Sequence, residues 1–497
     1  MNGTGIDRRS VIALGGLAWA VGALRVQAQA QAASEQRRLP ADVTTRHSVE
    51  LPGRTVRFAA TAGGISLSGE NNAPRAELAF IAFQLDGEDP AHRPVTFAFN
   101  GGPGFASGWL NVGAVGPWRI SVAADAVAAS ASPETMPNTE TWLDFTDLVF
   151  IDPAGTGYSR VLDSGERARR RLFSVDGDIA YLAEAIRRWL DRFDRSVSPK
   201  YLLGESYGGF RAPRIARELA ASQGTGVSGM VLISPKLDFG DLSTAFNPLS
   251  YVARLPSMAA AARAEQGVVT RAQLADIESY ARGEYLRDVL RGETDADAIV
   301  RRSARVAEFT GLDPALVRRY HGLISNEVFL HELERARGRV GSVYDATITS
   351  LDPFPLEPFS DYPDPVLDAL KAPVSSAMVA IYQNRLNWHP DSAYLLGDSE
   401  VNRAWDWGNR IWHPPQAMSA LRSDLAIDAR MRVLIAHGLF DLMTPYLATQ
   451  MLLDQVPDRG IGSRIRLTTY PGGHMFYLTD ASRAALRDDA AAMYAAR

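Results

Sequence analysis

The chain is 497 residues long, 46% hydrophobic and 22% charged, with a formal net charge of −5. This is ordinary globular composition, long enough for one large domain or two to three modest ones, and its mild acidity gives no reason to expect nucleic acid or anionic lipid as a partner. It contains no cysteine, which excludes a disulfide framework, thiolate metal sites and a cysteine nucleophile, and leaves stability to a packed core.

At the N-terminus, Arg8-Arg9 precede an apolar run from Val11 to Leu24, and small residues follow in Val26-Gln27-Ala28 and Ala28-Gln29-Ala30. A positive start, a short apolar stretch and an A-x-A step are the pattern of a secretory signal, here expected over residues 1–32, and the paired arginines resemble the head of a Tat signal. The apolar run is short and glycine-interrupted for a spanning helix of about 20 residues. A periplasmic or secreted protein without stable membrane association after cleavage is therefore expected in preference to an anchored one.

Strand patterning follows over His47–Ser68 and Ala76–Leu85, with expected breaks at Gly63-Gly64 and Asn71-Asn72. Val95–Phe99 and Asp147–Ile151 are short apolar runs, each ending at a glycine-rich turn: Asn100-Gly101-Gly102-Pro103-Gly104 and Asp152-Pro153-Ala154-Gly155-Thr156-Gly157. Asp176–Phe193 carries Ile179, Leu182, Ile186 and Leu190 at helical spacing. Tyr201–Leu203 reads as a strand, Ala212–Ser222 as a helix and Val227–Ile233 as another buried strand. Short apolar strands alternating with helices predict a mostly parallel central sheet flanked by helices, an α/β fold. That rhythm stops over Asp241–Asp428, where helical patterns (Thr270–Arg291, Asp297–Phe309, Asp313–His321) and proline-rich loops prevail. It returns with strands at Met431–Ala436 and Ile465–Tyr470 and helices near Tyr446–Gln455 and Asp480–Ala496. The expected organisation is a signal (1–32), a sheet core in two parts (33–243 and 431–497) and a mainly helical insertion, or lid domain (244–430).

The candidate chemistry centres on Gly204-Glu205-Ser206-Tyr207-Gly208. A serine hydroxyl needs a base to take its proton, and the base needs an orienting acid. The G-x-S-x-G frame places the serine on a tight strand-to-helix turn where only small flanking residues fit. In this arrangement the acid and then the histidine follow, each just past a strand. Asp441 follows Met431–Ala436 in Gly438-Leu439-Phe440-Asp441, and His474 follows Ile465–Tyr470 in Pro471-Gly472-Gly473-His474. His437 is the nearest rival base, but it stands where the chain is only leaving its strand. The remaining histidines, His47, His92, His321, His331, His389 and His413, have no such context. Stabilising the oxyanion calls for two backbone donors, Tyr207 after the nucleophile and Gly102 in the turn after Val95–Phe99. Trp405 and Trp407 are weaker candidates for lining a pocket. No clustered ligand spacing calls for a metal or an organic cofactor.

Taken together, FNGGPG (Phe99–Gly104), DPAGTGYSR (Asp152–Arg160), GESYGG (Gly204–Gly209), GLFD (Gly438–Asp441) and GGHM (Gly473–Met475) resemble the serine carboxypeptidase family, from about Arg75 to the C-terminus. The resemblance implies an α/β-hydrolase fold with a helical insertion over the active site, a peptide substrate with a free C-terminus, and a Ser206–Asp441–His474 triad. It also implies that Asn100 and Glu205 hold the substrate's C-terminal carboxylate, with Glu205 donating while protonated. Two departures stand out: Phe105-Ala106-Ser107 replaces the Cys-Ser-Ser of eukaryotic members, and Ala98 replaces the tryptophan two residues before the asparagine. The first removes a disulfide, the second one contribution to carboxylate binding. An esterase or acyltransferase using the same triad, and a non-catalytic binding protein on a hydrolase scaffold, are the competing expectations.

Overall fold

The computed structural model describes residues 39–68, 74–121, 129–130, 134–163, 165–240, 246–357, 362–408, 414–458 and 460–496. The expected signal sequence, Asn71-Asn72 and His413 lie outside these residues.

Nine strands build the central sheet: β1 (Val43–Leu51), β2 (Arg54–Ser68), β3 (Pro74–Leu85), β4 (Val95–Phe99), β5 (Asp147–Ile151), β6 (Lys200–Glu205), β7 (Gly229–Ile233), β8 (Arg432–Gly438) and β9 (Ile465–Tyr470). Their order is β1-β2-β3-β5-β4-β6-β7-β8-β9, and the short strand Arg160–Val161 adds to β3 as a tenth. The pairs β1/β2, β2/β3 and β3/β5 are antiparallel; from β5 to β9 every pair is parallel.

Local sequence explains the division. In β1 every second side chain is accessible over most of its length, the alternation of a half-solvated antiparallel strand. In β4, β5 and β7 all five residues are buried, as a parallel sheet covered on both faces requires. The period-two geometry of a strand sends Ala98, Leu203, Val231 and Leu434 into one apolar cluster, with the C-terminal helix residues Leu486, Ala490 and Tyr494. Phe97, Leu202, Leu232 and Ile435 enter the other, against helices α1 (Val175–Arg192) and α2 (Tyr207–Ser222).

Between β7 and β8 the chain is mainly helical, with one small two-stranded sheet, Arg339–Gly341 with Thr349–Leu351. Tyr251–Ala346 supplies a third apolar cluster, closed by Leu439–Leu447 from the loop after β8. The later part divides its packing. Val366–Leu396, including helix α3 (Leu367–Ala380), joins one face of the main core, and Ala417–Leu425 joins the other.

Two elements differ from the sequence reading. Gly63-Gly64 does not break a strand: it lies inside β2, and the turn falls at Pro52-Gly53, where Gly53 has φ +76°. A Cβ on Gly63 would sit 2.1 Å from Asp42 Oδ1, and one on Gly64 3.0 Å from Leu39 Cδ1. The glycines let residues 39–42 lie flat on the strand. The helix expected over Thr270–Arg291 is a succession of short segments, Arg271–Leu274, Ala275–Tyr280, Ala281–Tyr285 and Leu286–Leu290, the third a π-turn.

Candidate active site

Strand β6 ends at Glu205, α2 begins at Tyr207, and Ser206 between them has φ +58° and ψ −119°. A non-glycine residue held there costs on the order of 1–3 kcal/mol and persists only when its surroundings fix it. The Ser206 amide donates to the Ile233 carbonyl at 2.9 Å, and its own carbonyl accepts from Gly209 at 3.0 Å. Close backbone approach dictates the flanking glycines. A Cβ on Gly204 would lie 2.0 Å from the Gly208 carbonyl oxygen, and one on Gly208 2.3 Å from that of Phe99.

Asp441 and His474 leave β8 and β9, the two strands on the far side of β7, and meet beside this turn. His474 Nδ1 lies 2.8 Å from Asp441 Oδ2, with both side chains buried. The amides of Met443 and Thr444 donate to Asp441 Oδ1 at 2.8 and 2.9 Å. Burial opposes ionisation of Asp441, but His474 and the Thr444 amide hold its carboxyl below the ordinary value. Burial likewise opposes charge on His474, while Asp441 and Glu205 raise its pKa above the ordinary value. The Thr444 hydroxyl stands 2.8 Å from Asp441 Oδ2, 2.9 Å from the Ser234 carbonyl oxygen and 3.1 Å from His474 Nδ1. From the helical insertion, the Tyr344 carbonyl accepts the His474 amide at 2.5 Å, and the Tyr344 ring lies edge-on to the imidazole at 5.5 Å.

Ser206 and His474 open into one cavity of about 390 Å³, whose lining also includes Asn100, Gly102 and Glu205. Phe105, Trp109, Leu367, Met443 and Met475 form its apolar walls, and Lys371 and Asp398 are charged groups in the lining. Gly102, at φ +100°, and Gly101 bring the turn after β4 against the elbow: a Cβ on Gly101 would be 2.6 Å from the Tyr207 amide nitrogen and 2.7 Å from Ser206 Cβ. A somewhat larger cavity, about 460 Å³, is lined by Leu39–Asp42, Glu77, Arg188 and Arg192 and contains none of these groups.

Glu205 is buried beside Ser206. Asn100 Nδ2 donates to its Oε2 and the Tyr477 hydroxyl donates to its Oε1 at 3.0 Å. The Leu110 amide fixes the orientation of the Asn100 side chain by donating to its Oδ1 at 3.0 Å. Burial pushes the Glu205 carboxyl up to about 7, outweighing the lowering by His474, Tyr477 and Asn100. The carboxyl is therefore a neutral hydrogen-bond donor below that pH.

The fold thus brings together the residues singled out in the sequence: Ser206, Asp441, His474, Gly102, Tyr207, Asn100 and Glu205. His437 is apart from the cavity. It is buried inside β8 with Nε2 3.0 Å from the Thr449 hydroxyl, and burial pushes its pKa down to about 4. Trp405 and Trp407 do not line the cavity; they pack edge-on against the Tyr207 ring at 5.5 and 5.7 Å. Sequence reasoning missed Tyr477, Thr444 and Tyr344. Of these, Tyr477 had a signal, since it closes the same short stretch, His474-Met475-Phe476-Tyr477.

Residues 52–291 match the family described as serine carboxypeptidase. The stretch begins before Arg75 and ends before GLFD and GGHM. Curated relatives include a pheromone-processing carboxypeptidase kex1 of Talaromyces marneffei, 30% identical over 32% of this chain and 23% of the relative. Serine carboxypeptidase-like 25 of Arabidopsis thaliana is 31% identical over 26% of each chain. These alignments span about a quarter of the relatives' length. Among solved structures, a prohormone-processing carboxypeptidase of Saccharomyces cerevisiae aligns with 88% of this chain and 91% of its own, at 16% identity and a TM-score of 0.53, a likeness of fold. The fold is that of the α/β-hydrolases. The family match, the relatives and the shared architecture agree: over residues 52–291 the chain is similar to the serine carboxypeptidases.

Proposed function

We propose that this protein is a serine carboxypeptidase that releases the C-terminal residue of peptides through an acyl-enzyme. Ser206 Oγ attacks the carbonyl carbon of the last peptide bond while His474 takes the hydroxyl proton, and Asp441 keeps the imidazole in the tautomer that accepts it. The amides of Gly102 and Tyr207 receive the developing oxyanion, each worth on the order of 3–4 kcal/mol. Collapse of the intermediate breaks the C–N bond, and His474 returns the proton to the departing amine. Water, deprotonated by the same imidazole, then cleaves the ester. Asn100 and neutral Glu205 hold the carboxylate of the leaving residue. The insertion at 244–430 serves as a lid wall of the cleft, and residues 1–32 as an export signal; among the described residues no helix is long and apolar enough to cross a membrane.

The observation that carries this reading is the buried carboxyl next to the nucleophile. A plain esterase has no use for a protonated glutamate hydrogen-bonded to an asparagine in its cleft, whereas a carboxylate ligand needs such a donor pair. The test compares an N-blocked dipeptide with its C-terminal amide, with Ser206→Ala as control. Preferential release of the free amino acid supports the carboxypeptidase. Equal turnover of both substrates would favour an esterase or acyltransferase, and an unreactive Ser206 towards a fluorophosphonate would favour a binding protein.

A further inference from the structure

We infer that the buried Arg211–Asp178 ion pair is a positioning device for the oxyanion cradle, acting through the backbone carbonyl of Asn100. The inference rests on the reading of Gly102 and Tyr207 as oxyanion donors. Arg211 lies in the second turn of α2, and Asp178 in the first turn of α1. Both side chains are 0% exposed, and Arg211 Nε donates to Asp178 Oδ2 at 2.6 Å. Arg211 Nη1 donates to the Asn100 carbonyl oxygen at 2.6 Å, and the guanidinium carbon stands 4.7 Å from the centre of the Tyr207 ring. The remaining oxygen of Asp178 accepts from the Tyr181 hydroxyl at 2.8 Å, and that hydroxyl accepts from the Ala154 amide at 3.2 Å. One buried cation therefore touches the two segments that carry the proposed donors, while its counterion is tied to α1 and to the Asp152–Gly157 turn.

As a stabilising device the arrangement is poor. A buried ion pair recovers its desolvation cost only with every donor and acceptor satisfied, and apolar residues of similar volume often serve the fold as well or better. Arg211 Nη2 has no hydrogen-bond partner. What the geometry does satisfy is the Asn100 carbonyl. In a planar trans peptide the carbonyl and the next N–H point in opposite directions. Anchoring the Asn100 oxygen towards α2 thus fixes the Gly101 amide facing away from Arg211, and with it the Cα from which the Gly102 amide hangs. The turn needs such an anchor, because glycines at 101, 102 and 104 would otherwise leave it conformationally loose. A charged donor on the carbonyl also polarises that peptide towards a stronger N–H.

The test replaces both charges together, Arg211→Met with Asp178→Leu, so that no unpaired buried charge remains. The double variant is expected to melt close to the wild type while kcat for the N-blocked dipeptide falls by about 100-fold, the loss expected of a displaced oxyanion donor. KM should change far less. Affinity for a peptide aldehyde, whose serine adduct places an oxygen in the cradle, should fall in proportion to kcat. A folded double variant with kcat within about threefold of the wild type overturns the inference, as does a kcat loss that merely tracks the unfolded fraction. Should the double variant fail to fold, Arg211→Lys decides: it keeps a cation but not the fork that serves Asp178 and Asn100 at once, so kcat should fall by about tenfold with KM unchanged. An unaltered kcat there also overturns it. Wild-type protein that leaves peptides intact yet is labelled at Ser206 by a fluorophosphonate defeats only the peptidase reading; the same variants are then compared by labelling rate, which should drop likewise. No labelling of the wild type removes both.

Discussion

The Tyr477 hydroxyl donates to Glu205 Oε1 at 3.0 Å, on the opposite side of the carboxyl from the Asn100 amide. Burial holds the tyrosine's own pKa far above its ordinary value, so it remains a donor throughout the working range. Glu205 is thereby fixed in one orientation by a neighbour three residues beyond His474. Its protonation, not its conformation, is the variable.

That variable sets the alkaline side of the pH profile. The carboxyl, pushed up to about 7, is neutral and can donate below that pH; above it the group is an anion facing an anion. The kcat/KM for substrates with a free C-terminal carboxylate should fall about tenfold per unit above pH 7, while amide or ester substrates lacking it show no such fall. Glu205→Gln, which keeps an N–H donor at every pH, should remove the fall. A profile for the carboxylate substrate that is flat from about pH 5 to 9 would contradict the assignment.

Tyr477→Phe should displace the alkaline limb instead of removing it. The tyrosine hydrogen bond lowers the Glu205 pKa, so its loss should raise that pKa and carry the alkaline limb to higher pH. The change also leaves a buried oxygen short of a donor, at about 1–3 kcal/mol of stability. A pH–kcat/KM series and a melting curve measure the two effects.

Gly101→Ala should disable the site. Its methyl group would lie 2.6 Å from the Tyr207 amide nitrogen, and relief requires the turn and the elbow to separate. A kcat loss of about 100-fold or more is expected, with a fluorophosphonate labelling rate reduced to match. Labelling at the wild-type rate would show that the two segments need not touch.

Thr444→Val removes the hydroxyl that stands between Asp441, His474 and Ser234. The amides of Met443 and Thr444 still hold Asp441 Oδ1, so the triad should survive. The expected outcome is about 1 kcal/mol of stability and roughly a tenfold loss of kcat, read from melting and steady-state rates. A loss as large as that of Asp441→Ala would mean that the hydroxyl itself fixes the imidazole.

The sheet was legible wherever burial alone dictates pattern. Asp147–Ile151 and Ile465–Tyr470 have the same bounds in sequence and structure: the first is a fully buried apolar run, the second an alternating edge strand, and each ends at a glycine-rich turn. The edge was less so: Gly63-Gly64 looks like a break until the crossing segment at Leu39–Asp42 is in view. At the site, the meeting of Ser206, Asp441 and His474 was legible because each stands a few residues or less past a strand end, and strand ends converge by topology. Tyr344, Thr444 and Arg211 were not. Their partners lie 130, 30 and 111 positions away, taking His474, His474 and Asn100 respectively, and no local periodicity encodes such meetings. The Asp241–Asp428 region read as helical, but its partition among three apolar clusters depends on which faces meet, and that is a tertiary property.

The bond from the His474 amide to the Tyr344 carbonyl crosses from the sheet's last loop into the helical insertion. His474 thus borrows its anchorage from a part of the chain that, among the described residues, makes no strand of the main sheet. Loosening of that part by heat or denaturant would silence turnover while the sheet was still intact, so loss of activity should run ahead of melting, and a protease that nicks the insertion would act as an off-switch.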